Sequence, residues 1–271
     1  MQLPIQKLEE VRERHLRERA QNLFAALFDE RQYVGEVFSM GYESATVLVH
    51  DSYRQEVGGI PSLAFLTATR IRPGEPIDPD VEDASVLLLR VMDAAPLPDH
   101  ADAERKRADI ARRASGHDTP HWDDRKWMDL HTNHELSYAG VRCRVIGTFY
   151  LERDEEHEDK LLLRFGSDIS NYYPNRGLKV YKPNGKALER IVNFRAAQGS
   201  SGGEGPGRSI AVGHVRYAST NRGFQGISDV PVELVPEDLL GQKTALFGMT
   251  RTGKSNTTKI ILQSVFELRY A

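Results

Sequence analysis

One eight-residue segment near the end of the chain has the residue types and the spacing that bind a phosphate chain. Residues 248–255 have the sequence Gly-Met-Thr-Arg-Thr-Gly-Lys-Ser and satisfy the pattern Gly-x4-Gly-Lys-Ser/Thr. Gly248 and Gly253 allow the backbone to curl, so that successive N–H groups point inward and form an anion-binding nest at a helix N-terminus. The segment therefore predicts a phosphate loop of the Walker A type.

The two residues that end this loop predict ATP and Mg²⁺ as its ligands. Lys254 supplies a flexible positive charge for the β- and γ-phosphates, and the hydroxyl of Ser255 is a hard oxygen ligand for Mg²⁺. Ser255 is the metal ligand that we predict in this chain. The residues expected to bind the nucleotide are Gly248, Met249, Thr250, Arg251, Thr252, Gly253, Lys254, Ser255 and Asn256.

The loop needs a strand before it and a helix after it. The apolar run Thr244–Phe247 predicts a short buried strand, and apolar positions from Ile260 to Leu268 predict an amphipathic helix. Upstream of these, Val230–Val235 is typical of a further strand and Pro236–Gly241 of a turn. Residues 231–271 are thus expected to be the start of an α/β domain that carries the phosphate loop.

The middle of the chain has a residue pattern that is typical of an antiparallel β-barrel. Short runs rich in Val, Thr, Phe and Tyr are separated by Gly, Pro, Asn and Asp, and this spacing favours a closed or partly closed sheet without exposed edges. A charged stretch interrupts the runs between residues 93 and 134 and favours helix at Ala101–Ser115. The predicted strands are Tyr33–Phe38, Ala45–Val49, Leu63–Arg70, Ser85–Met92, Val141–Leu151, Lys160–Phe165, Lys179–Tyr181 and Ser209–Val215.

An amphipathic helix is predicted ahead of the barrel, from Pro4 to Phe28. Its first half is almost entirely charged, which favours a solvated face or packing on a partner. The fold class predicted for the chain is therefore mixed. It comprises an N-terminal helix in residues 1–32, a barrel with a helical insertion in residues 33–230, and the first strand, loop and helix of an α/β domain in residues 231–271.

Composition limits the classes of function. Lys and Arg number 36 against 39 Asp and Glu, which excludes a chain-wide basic surface for nucleic acid. The single cysteine, Cys143, excludes a disulfide framework and fits a reducing compartment; its strand-like setting predicts a buried, inert thiol. No run approaches the roughly 20 apolar residues that cross a bilayer. We therefore expect a cytoplasmic protein without a membrane partner.

Other groups of polar and aromatic residues are weaker candidates for functional sites. The pair His117 and His121, and the trio His131, His134 and Glu135, have spacings compatible with metal ligation, although surface histidines explain them more simply. The remaining groupings are a Trp122–Trp127 stacking platform for nucleic acid or a packed insertion, a Tyr172–Arg176 recognition loop or edge turn, and a Gly199–Gly207 linker.

The phosphate loop and its context resemble a known family. The segment from Phe247 to Asn256, preceded by barrel-like strands such as Tyr33–Phe38 and Gly213–Tyr217, is similar to the HerA-type ATPases of the HerA/FtsK superfamily. In that family an N-terminal HAS barrel precedes a RecA-like motor. The chain departs from many relatives at Arg251, which stands where they have a second loop glycine.

The resemblance implies a homo-hexameric ring that hydrolyses ATP to move along double-stranded DNA, with a nuclease as effector. Related bacterial antiphage defence systems pair such ATPases with nuclease or sirtuin-like effectors. A second hypothesis makes the barrel mainly a scaffold for oligomerisation and effector docking, and a third gives it single-stranded nucleic acid as an OB-fold ligand, which the acidic balance disfavours.

No catalytic residue is assigned in this chain. A phosphate-loop ATPase also needs an acidic Mg²⁺ ligand, a group that positions water and usually an arginine, and only sixteen residues follow Ser255. We therefore expect these 271 residues to be part of a longer protein and to lack ATP hydrolysis by themselves.

Overall fold

The computed structural model describes most of the chain, which divides into two compact units of residues 1–183 and 184–271. The described residues are 4–98, 100–114, 129–154, 160–169, 177–197, 209–217, 223–225, 227, 229–239, 243–247 and 253–268.

The first unit contains four helices and seven strands among its described residues. They are α1 (Pro4–Ala25), β1 (Tyr33–Met40), β2 (Ser44–His50), α2 (Asp51–Glu56), β3 (Phe65–Thr69), β4 (Ser85–Ala95), α3 (His100–Ala114), α4 (Leu130–Leu136), β5 (Tyr138–Arg153), β6 (Leu161–Gly166) and β7 (Lys179–Tyr181).

Six of these strands close into an antiparallel barrel. The hydrogen-bonded order is β2-β1-β7-β3-β4-β5, and pairing of β2 with β5 closes the ring. β5 is long enough for two roles, because its first half pairs with β2 whereas its second half pairs with β6 outside the ring. The predicted barrel is confirmed. Because the ring is closed, each of its six strands has a hydrogen-bonded neighbour on both sides.

Apolar side chains at alternate positions turn into the barrel. In β2, Ala45, Val47 and Val49 are buried while the residues between them are half-buried. In β4, the four consecutive residues Val86–Leu89 are buried, so both faces of that strand are covered. The predicted strands matched to β1–β7 lie within about three residues of the observed bounds at each end.

Helix α1 has two different halves. Leu16, Ala20 and Phe24 are buried at four-residue spacing, and α1 packs against β6. Residues 10–15, in contrast, are all exposed. The expectation of an exposed, charged first half is therefore confirmed for these residues.

The insertion after β4 carries two helices at one end of the barrel. The helix predicted at Ala101–Ser115 is present as α3, and Asp129 caps α4 by accepting a 2.8 Å hydrogen bond from the N–H of Thr132. Lys106 of α3 forms an ion pair with Glu135 of α4. Because α4 leads directly into β5, both helices lie at the barrel end where β5 begins.

Cys143 lies inside the barrel wall, as predicted. Its side chain is fully buried in β5, and burial raises the pKa of its thiol to about 12. The reactive thiolate is therefore scarce at neutral pH, and this cysteine is inert.

A buried lysine follows β7 and makes the stability of the barrel depend on pH. Lys182 is fully buried, its ammonium donates a 2.7 Å hydrogen bond to the carbonyl of Val57, and burial lowers its pKa to about 8. An unfolded lysine titrates near pH 10.4, so between these values the unfolded chain binds more protons and stability rises with pH.

We therefore predict that Lys182→Met removes a rise of about 2 kcal/mol in the free energy of unfolding between pH 7 and 10. Urea unfolding at several pH values measures it, and Lys179→Met, at an exposed lysine of β7, is the matched control. Equal pH dependence of wild type and Lys182→Met would contradict this assignment.

The second unit is built around a small ribbon and several helices. Its elements are α5 (Gly185–Val192), α6 (Phe194–Ala197), β8 (Ile210–His214), β9 (Pro231–Leu234), two 3-10 turns at Gly223–Gln225 and Pro236–Leu239, and α7 (Lys254–Leu268). β8 and β9 pair only with each other in the described residues. The strand predicted at Ser209–Val215 is therefore present, but its expected place in the barrel sheet was wrong.

Several predicted features fall outside the described residues. They are the pair His117 and His121, the Trp122–Trp127 platform, the Tyr172–Arg176 loop and the Gly199–Gly207 linker. Among the helices in the described ranges, none has the length and apolar content needed to span a bilayer.

Candidate nucleotide-binding site

The described part of the predicted site is its helical end. Gly248, Met249, Thr250, Arg251 and Thr252 lie outside the described residues, whereas Gly253, Lys254, Ser255 and Asn256 lie at the start of α7. The predicted helix after the loop is confirmed as α7, which begins at Lys254.

Gly253 makes the turn from the loop into α7. Its φ is +84°, in the left-handed region that favours glycine, and an added Cβ would meet nothing within 4 Å. Backbone conformation, rather than crowding, is therefore the reason for glycine here. The carbonyl of Gly253 accepts hydrogen bonds of 3.0 Å from the N–H groups of Asn256 and Thr257, which start the helical ladder.

The first N–H groups of α7 are suited to bind an anion. The first N–H groups of an α-helix have no carbonyl partner within the helix itself, and they point toward its N-terminal end. The helix is fifteen residues long, so its aligned peptide dipoles place partial positive charge at this end. Lys254, which is half-buried, adds its ammonium charge to the same end.

The hydroxyl groups of the first helical turns differ in availability. Thr257 Oγ1 donates to the carbonyl of Gly253 at 3.3 Å, and Thr258 Oγ1 donates to the carbonyl of Lys254 at 2.9 Å. Ser255 is exposed, and within the described ranges no hydrogen bond engages its hydroxyl. Of these three hydroxyls, that of Ser255 is the one free to meet a metal ion.

The segment before the loop differs from its prediction. Thr244–Phe247 was expected to be a buried strand, but no strand is formed there and the side chain of Phe247 is 94% exposed. A β-strand needs a neighbouring strand for its hydrogen bonds, and no described strand pairs with these residues.

The same helix leaves apolar side chains in solvent. Leu262 is 64% exposed and Phe266 is 57% exposed, although Ser264 between them is buried. α7 packs against β8 and the turn at 236–239 with its other side.

The second unit also contains a positioning residue that sequence analysis missed. Asn193, which is buried, donates from its amide nitrogen to the carbonyl of Pro231 at 2.9 Å and accepts from the N–H of Glu233 at 2.8 Å. It thereby fixes β9, which precedes the phosphate loop, to the end of α5. Nothing in the sequence around this single asparagine indicates that it bonds to residues some forty positions away.

The histidine trio does not form a metal site in the described structure. Nδ1 of the exposed His131 lies 3.3 Å from a carboxylate oxygen of Glu135, whereas the ring of His134 lies 5.0 Å from that of His50 between centroids. Among the residues that the structure describes, no three His, Cys, Asp or Glu side chains are grouped to hold a metal.

Comparison with known families agrees with this architecture. The DUF87 family model, described as Helicase HerA, central domain, matches residues 210–271. No curated protein matches the chain. The match covers β8, β9, the phosphate loop and α7, and it includes residue 231, where the sequence predicts the start of the α/β domain.

A closed six-stranded barrel followed by a HerA central-domain segment fits a HerA-type ATPase, and the resemblance drawn from the phosphate loop is confirmed. The family match suggests a member of an ATPase and translocase superfamily, whose phosphate-loop ATPases generally use nucleotide and Mg²⁺.

Proposed function

We propose that this chain is the N-terminal portion of a ring-forming, ATP-driven translocase that moves along double-stranded DNA. The observation that supports it most directly is the start of α7. There a left-handed Gly253, the helix N-terminus, Lys254 and the available hydroxyl of Ser255 follow one another within a segment matched by the HerA model.

Each residue of the proposed site has a separate task. Backbone N–H groups of the loop from Gly248 to Gly253 and of the first turn of α7 hold the phosphates. Lys254 would neutralise phosphate charge, and the Ser255 hydroxyl would hold a Mg²⁺ ion, whose role in phosphoryl transfer is to balance phosphate charge. Asn256 lies beside them on the exposed first turn.

The partners that we propose are further copies of the chain, forming a homo-hexamer, together with double-stranded DNA bound by the motor and a nuclease or sirtuin-like effector, in the cytoplasm. An antiphage role fits such a pairing. The acidic balance of the chain supports DNA binding by the motor rather than by the barrel.

A second candidate function makes the barrel a scaffold that docks the effector. Its support is the exposed first half of α1, where Val11 is 41% exposed amid charged side chains. If an effector still binds after residues 231–271 are deleted, the barrel docks it; loss of binding locates recruitment in the ATPase segment.

We predict that the 271-residue chain shows no magnesium-dependent ATP turnover above that of its Lys254→Ala variant. The acidic magnesium ligand, the water-positioning group and the arginine needed for hydrolysis are assigned to none of its residues. A coupled phosphate-release assay at saturating ATP measures this rate. Turnover clearly above the Lys254→Ala control would show that this chain holds the missing groups.

A further inference from the structure

The outer face of α3 is a row of exposed arginines. Helix α3 carries five Lys and Arg residues against three acidic ones. The side chains of Arg105 and Arg112 are 82% and 81% exposed and lie seven residues apart, on one face of the helix. Ile110 is buried and fixes the opposite face toward the protein. The row is therefore held in place and presented outward.

Both arginines have nearby carboxylates, but these pairs are weak. Arg105 lies 3.6 Å from Asp102, and Arg112 lies 3.6 Å from Asp109, each at three-residue spacing on an exposed face. Exposed ion pairs of this kind contribute little stability and are readily exchanged for better partners. The arginines of α3 can thus bind a second set of carboxylates.

A groove with complementary chemistry lies beside the loop that joins β3 to β4. Its volume is about 480 Å³, and its lining includes the apolar side chains of Val81, Leu151 and Ile169, the ring of Tyr150, and the acids Asp80 and Glu82. The side chain of Tyr150 is 42% exposed. An exposed tyrosine ring next to carboxylates suits a guanidinium, which stacks on the ring while its N–H groups donate to the acids.

The loop itself is a fixed acidic structure. Residues 71–84 contain five carboxylates and one arginine. Ile71, Ile77 and Ala84 are buried, and Asp83 and Asp80 pair with Arg70 and Arg153 at the ends of the neighbouring strands. Among the described residues no cation pairs with Glu82, which is exposed.

The two surfaces lie at opposite ends of the barrel. The loop leads into the first residue of β4, whereas α3 follows its last residue and is tied to α4 by Lys106 and Glu135. The β4–β5 ladder runs from Ser85 opposite Tyr150 to Ala95 opposite Gly140, a length of about 33 Å. This exceeds the roughly 8 Å screening length at physiological salt, so the two surfaces cannot satisfy each other within one chain.

We propose that the arginine face of α3 binds the groove beside the 71–84 loop of a second copy of this chain, head to tail. Because the two contacting surfaces differ, a pair of copies keeps one unused helix face and one unused groove, and further copies can join at both to form a ring or filament. This contact describes how copies of the chain assemble, so it rests on the ring formation that the proposed function includes. It does not involve the phosphate loop.

Charge reversal with complementation tests this contact. Arg105→Glu/Arg112→Glu reverses the helix face, and Glu75→Lys/Glu82→Lys reverses two exposed acids of the loop. Native mass spectrometry and sedimentation without nucleotide are expected to show self-association of the 271-residue chain weakened at least tenfold in each variant. An equimolar mixture of the two variants should recover assembly, because each then offers the surface that the other lacks.

The controls separate this contact from folding and from net charge. Arg14→Glu/Arg17→Glu makes the same charge change on the exposed part of α1 and should leave assembly unchanged. Circular dichroism checks that each variant is folded. Wild-type association with unaffected reversal variants would overturn this contact while leaving the ATPase proposal intact, whereas a monomeric wild type would overturn self-assembly through these residues.

The same variants test whether the arginine face of α3 binds nucleic acid instead of a second copy of the chain. If Arg105→Glu/Arg112→Glu lowers binding to a labelled DNA duplex but leaves the mass of the assembly unchanged, the arginine face serves nucleic acid, and the second-copy contact is wrong.

Discussion

Replacing Lys254 by alanine is expected to lower magnesium-dependent ATP turnover roughly 100-fold or more in the longest protein encoded in frame with these residues. Lys254 begins α7 directly after the left-handed Gly253, so its charge lies at the helix end that carries partial positive charge. Removing the ammonium leaves phosphate charge without its nearest compensating cation.

The matched control is Lys259→Ala, five residues along the same helix. Lys259 is exposed and lies away from the helix N-terminus, so its removal should leave turnover within about twofold of wild type. Steady-state phosphate release and nucleotide affinity, measured together, separate binding from turnover. Equal losses in the two variants would mean that general charge on α7, rather than a phosphate loop, supports activity.

Gly35→Ala is expected to destabilise the barrel by about 3 kcal/mol. Gly35 lies in β1 between β2 and β7, and an added Cβ would stand 1.9 Å from the carbonyl oxygen of Leu48. That neighbour is backbone in a closed ring, so relief requires strands to separate. The melting temperature should fall by roughly 6–12 °C.

Gly41→Ala provides the comparison, because the nearest atom to its added Cβ is the carbonyl oxygen of Ser44 at 3.9 Å, an ordinary contact. Its melting temperature should stay close to that of wild type. A Gly35→Ala barrel that melts with wild type would contradict the close approach of β1 and β2.

The elements that depend on local pattern could be predicted from sequence. The Val- and Thr-containing run Ala45–Val49 and the apolar run in Ser85–Met92 predicted β2 and β4, and the Ala, Arg, Lys and Glu content of Ala101–Ser115 predicted α3. The phosphate-loop pattern and the apolar positions from Ile260 to Leu268 likewise predicted a helix after the loop, which is present as α7.

Features that depend on distant partners could not be predicted in this way. Closure of the ring requires β2 to pair with β5, which lies some ninety residues later in the chain. The residues of neither strand indicate which distant strand will be its partner. The same limit explains the error at Ser209–Val215, whose partner proved to be β9 alone among the described strands. At Thr244–Phe247 the apolar residues predicted a buried strand, but the sequence does not show whether a neighbouring strand is present to hydrogen-bond with it, and no described strand does.

The most direct measurement is the native mass of the longest in-frame protein, recorded with and without ATP and magnesium, for wild type and Lys254→Ala. A HerA-type ring predicts a wild-type assembly near six copies that ATP and magnesium stabilise, and a Lys254→Ala assembly that nucleotide does not affect. A wild-type monomer under every condition would contradict it.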